Sequence, residues 1–258
     1  MLVYPQLTSG TLMQFPAQKS HRLRTVVNLL SDGSCIKLAD PPAEITLWQL
    51  QYANLSDQEA AALQQFFEST EGSLQTFTFL DPTANLFVWS DQLDHPGWNK
   101  GPLLSIAGGF ADPAGGTNAW HVSNSGAAAQ SLSQILEVPG EYRYSVSVYA
   151  KSGVGTIVNL ICGPARDQQA LANQWSRIVI SANGGPTETV EFGIEFPAGA
   201  SADLFGMQVE AQTGPSIYKP STSGGVYPNA WFLDDSLALT ATDVNRHSAT
   251  VNIHANRL

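Results

Sequence analysis

Apolar and polar residues alternate with a period of two along much of the chain, which is typical of β-strands with one buried face. In the stretch 44–53 the apolar side chains fall at Trp48, Leu50 and Tyr52, with glutamines between them. Upstream, residues 21–30 and 35–38 predict two more strands, and the Asp32-Gly33 pair between them is typical of a tight turn. The N-terminal region therefore predicts a hairpin followed by a half-buried strand.

One amphipathic helix is predicted next, between about residues 57 and 71. Ser56 is a suitable N-cap, and Glu59 completes the sequence pattern of a capping box. The apolar residues that follow share one helical face, namely Ala60, Leu63, Phe66 and Phe67. Gly72 is a natural terminator, and a short alternating strand over 74–80 then ends at Asp81-Pro82.

Beyond residue 85 the composition shifts toward Gly, Ser, Ala and Asn, and short strands separated by turn residues replace the helical pattern. These predicted strands are 141–150, 156–162, 175–181, 188–196 and 204–210. Repeated short strands at this spacing favour an antiparallel β-sandwich or jelly roll. Two further strands, 235–240 and 248–253, follow the flexible stretch 221–225. The predicted fold class is thus mostly β, with one helix.

Charged residues are scarce, at 13% of the chain where about 25% is usual, and the net charge is −10 without any basic cluster. A nucleic-acid partner is not expected, because such binding needs clustered Lys and Arg to displace counterions from phosphates. No apolar run reaches the length of a membrane span and the first residues lack a signal-peptide pattern, so neither membrane insertion nor export by a cleaved signal is expected. Cys35 and Cys162 show no metal or disulfide spacing and are predicted to be buried apolar residues.

Two regions of the chain resemble known protein families. From Leu55 to Pro82 the pattern is a capped helix ending at Gly72 and an aromatic strand ending in Asp-Pro. This pattern resembles the tail-tip proteins of long-tailed bacteriophages and prophages, the distal-tail or minor-tail group. Residues 234–237 and 246–253 are similar to the closing strands of the same domain.

The segment between these parts resembles the carbohydrate-binding-module-like jelly rolls of phage tail and tail-fibre proteins. Its marks are residues 85–93 with Trp98, residues 144–151, and residues 205–210 with 218–220. Taken together, the resemblances imply a discontinuous tail-tip β-domain with one helix, formed by residues 1–85 and 223–258, and an inserted β-sandwich at 86–222.

The tail-tip resemblance also implies where the protein acts and with what. It implies synthesis in the cytoplasm of a bacterial host and a final location in the virion tail tip. The implied partners are other tail proteins and further copies of this chain, in a ring that is hexameric if it matches the tail tube. The low charge is consistent with this, because permanent interfaces are depleted in charged residues.

The leading hypothesis is a non-enzymatic structural component whose inserted sandwich projects outward, with host-surface glycans as its candidate ligands. Two alternatives stay open, a decorative insertion without a ligand and a tail-associated polysaccharide hydrolase. For glycan binding the candidate residues are Trp120, His121 and Asn118, in the Gly-rich stretch 115–121, which is interpreted as a loop. Sugars stack on exposed aromatic faces and are hydrogen-bonded by neighbouring polar side chains. Most other aromatic residues of the insertion are predicted to be core, including Trp98, Tyr144 and Trp175.

No catalytic residues are predicted. Nearby carboxylate pairs are better explained as turn caps and solvated strand edges than as a hydrolytic pair; these are Asp91 with Asp94, Glu188 with Glu191, and Asp234 with Asp235. The histidines lack HExxH spacing, and GxSxG and phosphate-loop motifs do not occur. No cofactor is expected. A jelly roll can hold a structural Ca²⁺, but without a DxDxDG loop no metal ligands are assigned.

Overall fold

The computed structural model describes residues 1–153 and 155–256, and these form two compact units. Unit 1 comprises residues 1–8 and 13–79 and the described residues from Tyr227 onward. Unit 2 comprises residues 9–12 and 80–226. Antiparallel strands dominate both units, which confirms the predicted mostly β fold class.

The elements follow one another along the chain as a series of strands interrupted by one α-helix in the described residues. In order they are β1 (Ala17–Arg22), β2 (Thr25–Leu29), β3 (Cys35–Ala39), a 3-10 turn (Pro41–Ala43), β4 (Ile45–Leu55), α1 (Asp57–Ser69), β5 (Phe77–Leu80), β6 (Asn99–Lys100), β7 (Leu104–Phe110), β8 (Ala119–Asn124), β9 (Gln130–Leu136), β10 (Arg143–Lys151), β11 (Ile157–Cys162), β12 (Ala165–Ala170), β13 (Ser176–Asn183), β14 (Val190–Phe196), β15 (Ser201–Glu210), β16 (Val226–Phe232), β17 (Leu239–Asp243) and β18 (Arg246–Asn256).

Unit 1 is built on a six-stranded sheet in the order β1-β4-β18-β16-β5, with β17 paired to β18. The predicted alternation in β4 is confirmed, because Trp48, Leu50 and Tyr52 are all buried. An aromatic cluster packs over this face, and its members are Tyr4, Phe66, Phe77, Phe79 and Phe232. The core of unit 1 therefore lies between the sheet and α1.

Helix α1 begins and ends close to the residues that the sequence predicts. The Ser56 side chain accepts a hydrogen bond from the Glu59 backbone N–H, and the Glu59 carboxylate accepts one from the Ser56 N–H, which is a complete capping box. The last helical residue is Ser69, two residues before the expected end, and Gly72 follows with a φ of +66°. Ala60 and Leu63 are buried against the sheet.

The predicted hairpin is confirmed as β2 and β3, which form a separate two-stranded sheet. Almost every residue of these two strands is exposed. The prediction that Cys35 is buried is therefore wrong, because it lies on this uncovered hairpin, whereas Cys162 is buried in unit 2 as predicted. Burial depends on what packs over a strand, and the local sequence of a hairpin does not specify that.

Unit 2 is an antiparallel β-sandwich of two five-stranded sheets. Sheet A has the order β13-β10-β15-β8-β7, and sheet B has the order β12-β11-β14-β9-β6. Their facing side chains form the core, where the rings of Tyr144 and Phe192 meet at 4.9 Å. Strands β7, β8, β9 and β12 are not among the strands predicted from the sequence. The sandwich is the jelly-roll type of fold that the short-strand pattern favours.

The start and the end of the main segment of unit 2 lie side by side. The Asp81 N–H donates a hydrogen bond of 2.8 Å to the Gly225 carbonyl. Close by, the buried Asn85 amide donates to the Met207 and Lys219 carbonyls and accepts from the Val209 N–H. These bonds fix the two chain segments together.

Candidate functional site

A cleft of about 370 Å³ lies on the outer face of sheet A. Its lining comprises Phe110, His121, Lys151, Ser152, Gly153, Asn173, Ser201, Ala202 and Asp203. His121 on β8 and Asp203 on β15 are directly paired across the sheet. Because side chains alternate along a strand, the flanking Val122 and Leu204 point into the buried core. His121, Lys151 and Asp203 therefore project from regular strands, whereas Ser152, Gly153 and Asn173 of the lining lie in the connections between strands.

One carboxylate joins the polar side chains of the cleft. Asp203 Oδ1 lies 2.8 Å from His121 Nδ1, and Asp203 Oδ2 lies 3.5 Å from Lys151 Nζ. The three side chains are 21%, 40% and 28% exposed for Asp203, His121 and Lys151, respectively. They are held by one another and still open to solvent, so they can exchange hydrogen bonds with hydroxyl groups of a ligand.

Aromatic rings lie beside this polar group. Phe110 is 39% exposed, and its ring centroid lies 5.4 Å from that of His121. Trp175 immediately precedes the edge strand β13, and its half-buried ring has its centroid 4.9 Å from the Lys151 ammonium. This cation–π contact orients Lys151. The prediction that Trp175 is a core residue is wrong, because its ring is only half-buried and contacts Lys151 on the outer face of the sheet.

The other half of the outer face of sheet A is covered by the segment 211–222. The Glu210 carboxylate is 2% exposed and accepts hydrogen bonds from the Ser216 N–H and hydroxyl. Arg177 donates to the Ser216 carbonyl and to the Ser147 hydroxyl. This buried polar network closes its part of the face, and the cleft lies on the part that remains open.

Only one of the three site residues predicted from the sequence lines the cleft. His121 does, as described above. The prediction that Trp120 lies in a loop is wrong, because β8 begins at Ala119 and places Trp120 on the opposite side of the strand from His121. Its indole N–H donates to the Asp91 carbonyl at 2.9 Å, and its ring packs over Gly108.

Asn118 belongs to a tight turn beside β8 rather than to the cleft lining. Its side-chain amide and its backbone N–H both donate to Asp112 Oδ2 at 3.1 Å. Asp112 also accepts from the N–H groups of Gly116 and Ala114. The hydrogen bonds from Asn118 and Gly116 hold the pKa of Asp112 below its usual range, against a smaller opposing effect of burial.

Sequence reasoning missed Phe110, Lys151, Asn173 and Asp203, which come from four separate stretches of the chain. Asp203 lies between the buried Ala202 and Leu204, so the alternation of β15 does mark it as outward-facing. Its partner is set by strand register, which a single sequence does not reveal.

Other predicted residues have structural contacts. Trp98 is buried as predicted, with its N–H donating to the Trp89 carbonyl at 3.0 Å. Glu191 pairs with Arg166 at 3.2 Å, and Asp235 accepts from Ser73 across unit 1. Among the described residues no group of three or more His, Cys, Asp or Glu side chains is arranged to hold a metal ion. Within the same residues, no helix has the length and apolar character needed to cross a membrane.

No protein-family model matches the chain, and no curated protein sequence matches it. Solved structures with a similar fold include the family 22 carbohydrate-binding and GH10 modules of xylanase 10B from Clostridium thermocellum with xylohexaose (17% identity, TM-score 0.36, 50% of this chain and 28% of that chain). A tandem of family 22 modules from Paenibacillus barcinonensis has 14% identity and a TM-score of 0.40, covering 66% of this chain and 61% of that chain. The enzymatically active domain of bacteriophage CBA120 tailspike protein 4 has 13% identity and a TM-score of 0.35, covering 51% and 22%. The chain spans less than two thirds of each of these structures, and what its cleft binds depends on the cleft's own residues.

Proposed function

We propose that unit 2 binds a carbohydrate in the cleft on sheet A. The observation that carries this proposal is the exposed Phe110 ring beside the connected polar side chains of His121, Asp203 and Lys151. A pyranose has an apolar face that stacks on an aromatic ring and a rim of hydroxyls that needs both donors and acceptors. The cleft offers both, and its volume falls within the range of about 300–1,000 Å³ that is usual for small-ligand sites.

The test compares matched variants against a glycan array, followed by calorimetry on the best ligand. Phe110→Ala is expected to weaken binding about tenfold, which corresponds to the loss of one aromatic stacking contact of about 1.4 kcal/mol. Ile135→Ala is the control, because Ile135 is also an exposed apolar residue but lies on sheet B. Equal affinity of the two variants, or an array without any bound glycan, would contradict the proposal.

Binding without hydrolysis is part of the same proposal. Glycoside hydrolysis uses two carboxyl groups about 5 to 10 Å apart, and Asp203 is the single carboxylate among the described residues that line the cleft. Asp203 is also already engaged by His121 and Lys151. Release of reducing ends from the bound glycan would contradict this part.

A second candidate function, a structural role in a phage tail tip, is favoured by one observation in unit 1. Five large apolar side chains of the hairpin region are about half exposed or more, namely Val27, Leu29, Leu30, Ile36 and Leu38. Clustered apolar exposure of this kind marks interaction surfaces. The proposed role is self-assembly of the chain into a ring, with other tail proteins as neighbours.

The mass of the full-length protein in solution tests this second role. Light scattering over a range of concentrations is expected to give a multiple of the chain mass of 27.6 kDa. A strict monomer at every concentration would contradict self-assembly and leave the carbohydrate proposal untouched.

A further inference from the structure

The β2–β3 hairpin presents one face whose apolar side chains have no cover. Val27, Leu29 and Cys35 share this face, because the register pairs Leu29 with Cys35. Leu29 is 79% exposed and lies next to the turn, so it is the most prominent side chain of the hairpin. An isolated two-stranded hairpin is marginally stable in water, and docking of this face on another surface would stabilise it.

A cavity of matching character lies elsewhere in unit 1. It has a volume of about 130 Å³ and lies where residues 4–8, β4 and α1 meet. Its apolar lining includes Leu7, Leu55, Ala62 and Leu63. An apolar cavity of about 150 Å³ accommodates a benzene molecule, so this one is large enough for a single aliphatic side chain.

The cavity is open to solvent beside α1. The exposed residues Gln58 and Ala62 lie at this opening, and the Glu59 carboxylate lies beside them. Glu59 is held in place by the Thr8 N–H at 3.0 Å and by the Ser56 hydroxyl at 2.9 Å. The opening is therefore a fixed feature of the helix face.

The charges around the two features are complementary. Between residues 22 and 40 the chain carries Arg22, Arg24 and Lys37 with two acidic residues, Asp32 and Asp40, and Asp40 pairs with Arg24 at 3.4 Å. Lys37 lies on the same face of the hairpin as Leu29, because the register pairs it with Val27. Between residues 57 and 71, which include α1, it carries four acidic residues and no basic one. The Lys37 ammonium on this face and the acidic helix attract each other in separate molecules.

We propose that the hairpin of one copy of this chain docks on α1 of a second copy, with Leu29 inserted into the cavity beside Ala62. The two surfaces differ, so the contact is head-to-tail, and repetition of such a contact gives a closed ring or an open filament. This inference rests on the second candidate function, self-assembly, and specifies its geometry.

Matched substitutions test the docking in the full-length protein. Ala62→Trp fills the cavity opening, whereas Ala61→Trp adds the same side chain at an exposed helical position outside the cavity lining. Leu29→Asp removes the inserted side chain, whereas Ile135→Asp changes an exposed apolar residue of sheet B in unit 2, outside both the hairpin and α1. Ala62→Trp and Leu29→Asp are expected to give monomers in light scattering, and the two controls are expected to keep the parent mass. Circular dichroism checks that each variant folds.

A mixing experiment distinguishes a head-to-tail contact from a symmetric one. Leu29→Asp keeps an intact cavity and Ala62→Trp keeps an intact Leu29, so an equimolar mixture restores one functional contact. The expected product is a dimer of twice the 27.6 kDa chain mass. A symmetric interface between two hairpins would not be restored by mixing.

Cys35 gives an independent readout, because it lies beside Leu29 and is exposed, whereas Cys162 is buried. Its alkylation by iodoacetamide is expected to slow as the parent protein assembles, and to stay fast in Ala62→Trp. If Ala62→Trp assembles like Ala61→Trp, or if the mixture stays monomeric, the docking geometry is wrong while self-assembly stands. A parent protein that is monomeric at every concentration overturns both.

Discussion

At the scale of single residues, the alternation of side chains between the two faces of β8 determines which of them can contact a ligand. Trp120 and His121 are neighbours on β8, yet one packs over Gly108 and donates to the Asp91 carbonyl while the other faces Asp203. An exposed tryptophan in a Gly-rich stretch is the natural choice from sequence alone. The pairing of β8 with β7 and β15 makes Trp120 a packing residue, and that pairing is a long-range property of the chain.

The turn closed by Asp112 gives a prediction about pH. Hydrogen bonds hold the folded-state pKa of Asp112 below its unfolded value of about 3.9. The ionised carboxylate therefore stabilises the folded protein at pH values above 3.9. The contribution is lost as the pH falls through the lowered pKa. Asp112→Asn is therefore expected to lower the free energy of unfolding at pH 7 more than at pH 3, measured by urea denaturation.

Asp94→Asn is the control for this measurement, since it removes an exposed carboxylate from the same unit. It is expected to leave the difference between pH 7 and pH 3 close to that of the parent. If the free energy of unfolding of Asp112→Asn depends on pH as that of the parent does, the Asp112 carboxylate does not contribute to the pH dependence of stability.

At the scale of elements, a sequence pattern predicts a structural feature only when the residues that determine this feature lie within the element itself. Helix α1 is predicted almost to the residue, because the Ser56 and Glu59 capping box and the apolar stripe lie within the element itself. The hairpin is predicted as well, since Asp32-Gly33 specifies a turn, but its exposure is not. Strands β7 and β12 go unrecognised because β7 contains Gly108-Gly109 and β12 is mostly polar. They are strands because neighbouring strands pair with them.

Strand β14, in the middle of sheet B, gives a prediction about close backbone packing. A Cβ added at Gly193 would lie 2.3 Å from the Leu132 carbonyl oxygen and 2.7 Å from the Ser133 Cα atom, both on the paired strand β9. Gly193→Ala is therefore expected to destabilise the protein by roughly 3 kcal/mol or more, since backbone rather than a mobile side chain must move. Thermal unfolding followed by circular dichroism measures this effect.

Gly214→Ala is the matched control, because a Cβ at Gly214 meets no atom within 4 Å. The same methyl group is expected to change stability by a few tenths of a kcal/mol there. If both variants unfold at the parent temperature, β14 and β9 tolerate separation and the close approach at Gly193 is not needed for the sandwich.

At the scale of the whole molecule, the sequence is informative about architecture and much less so about the site. The composition shift near residue 85 and the run of short strands indicate a β-sandwich following a helix-containing β-region, and the structure has both. The cleft combines residues from positions 110 to 203, and no spacing between them is diagnostic. Strand register and the coverage of sheet A by segment 211–222 create the cleft, and both arise only on folding.

The hydrogen bond between Asp81 and Gly225 has a consequence for how such a chain can change over generations. Because the two ends of this segment are one hydrogen bond apart, recombination can replace it with another segment whose ends are equally close. The distance between the two flanking parts of the chain then stays the same. The exchange is constrained at one point, since residues 9–12 also belong to unit 2 and Leu12 is 1% exposed there. A successful replacement must bring its own apolar cover for Leu12, so lineages that swap this segment are expected to keep residues 9–12 matched to the incoming sandwich.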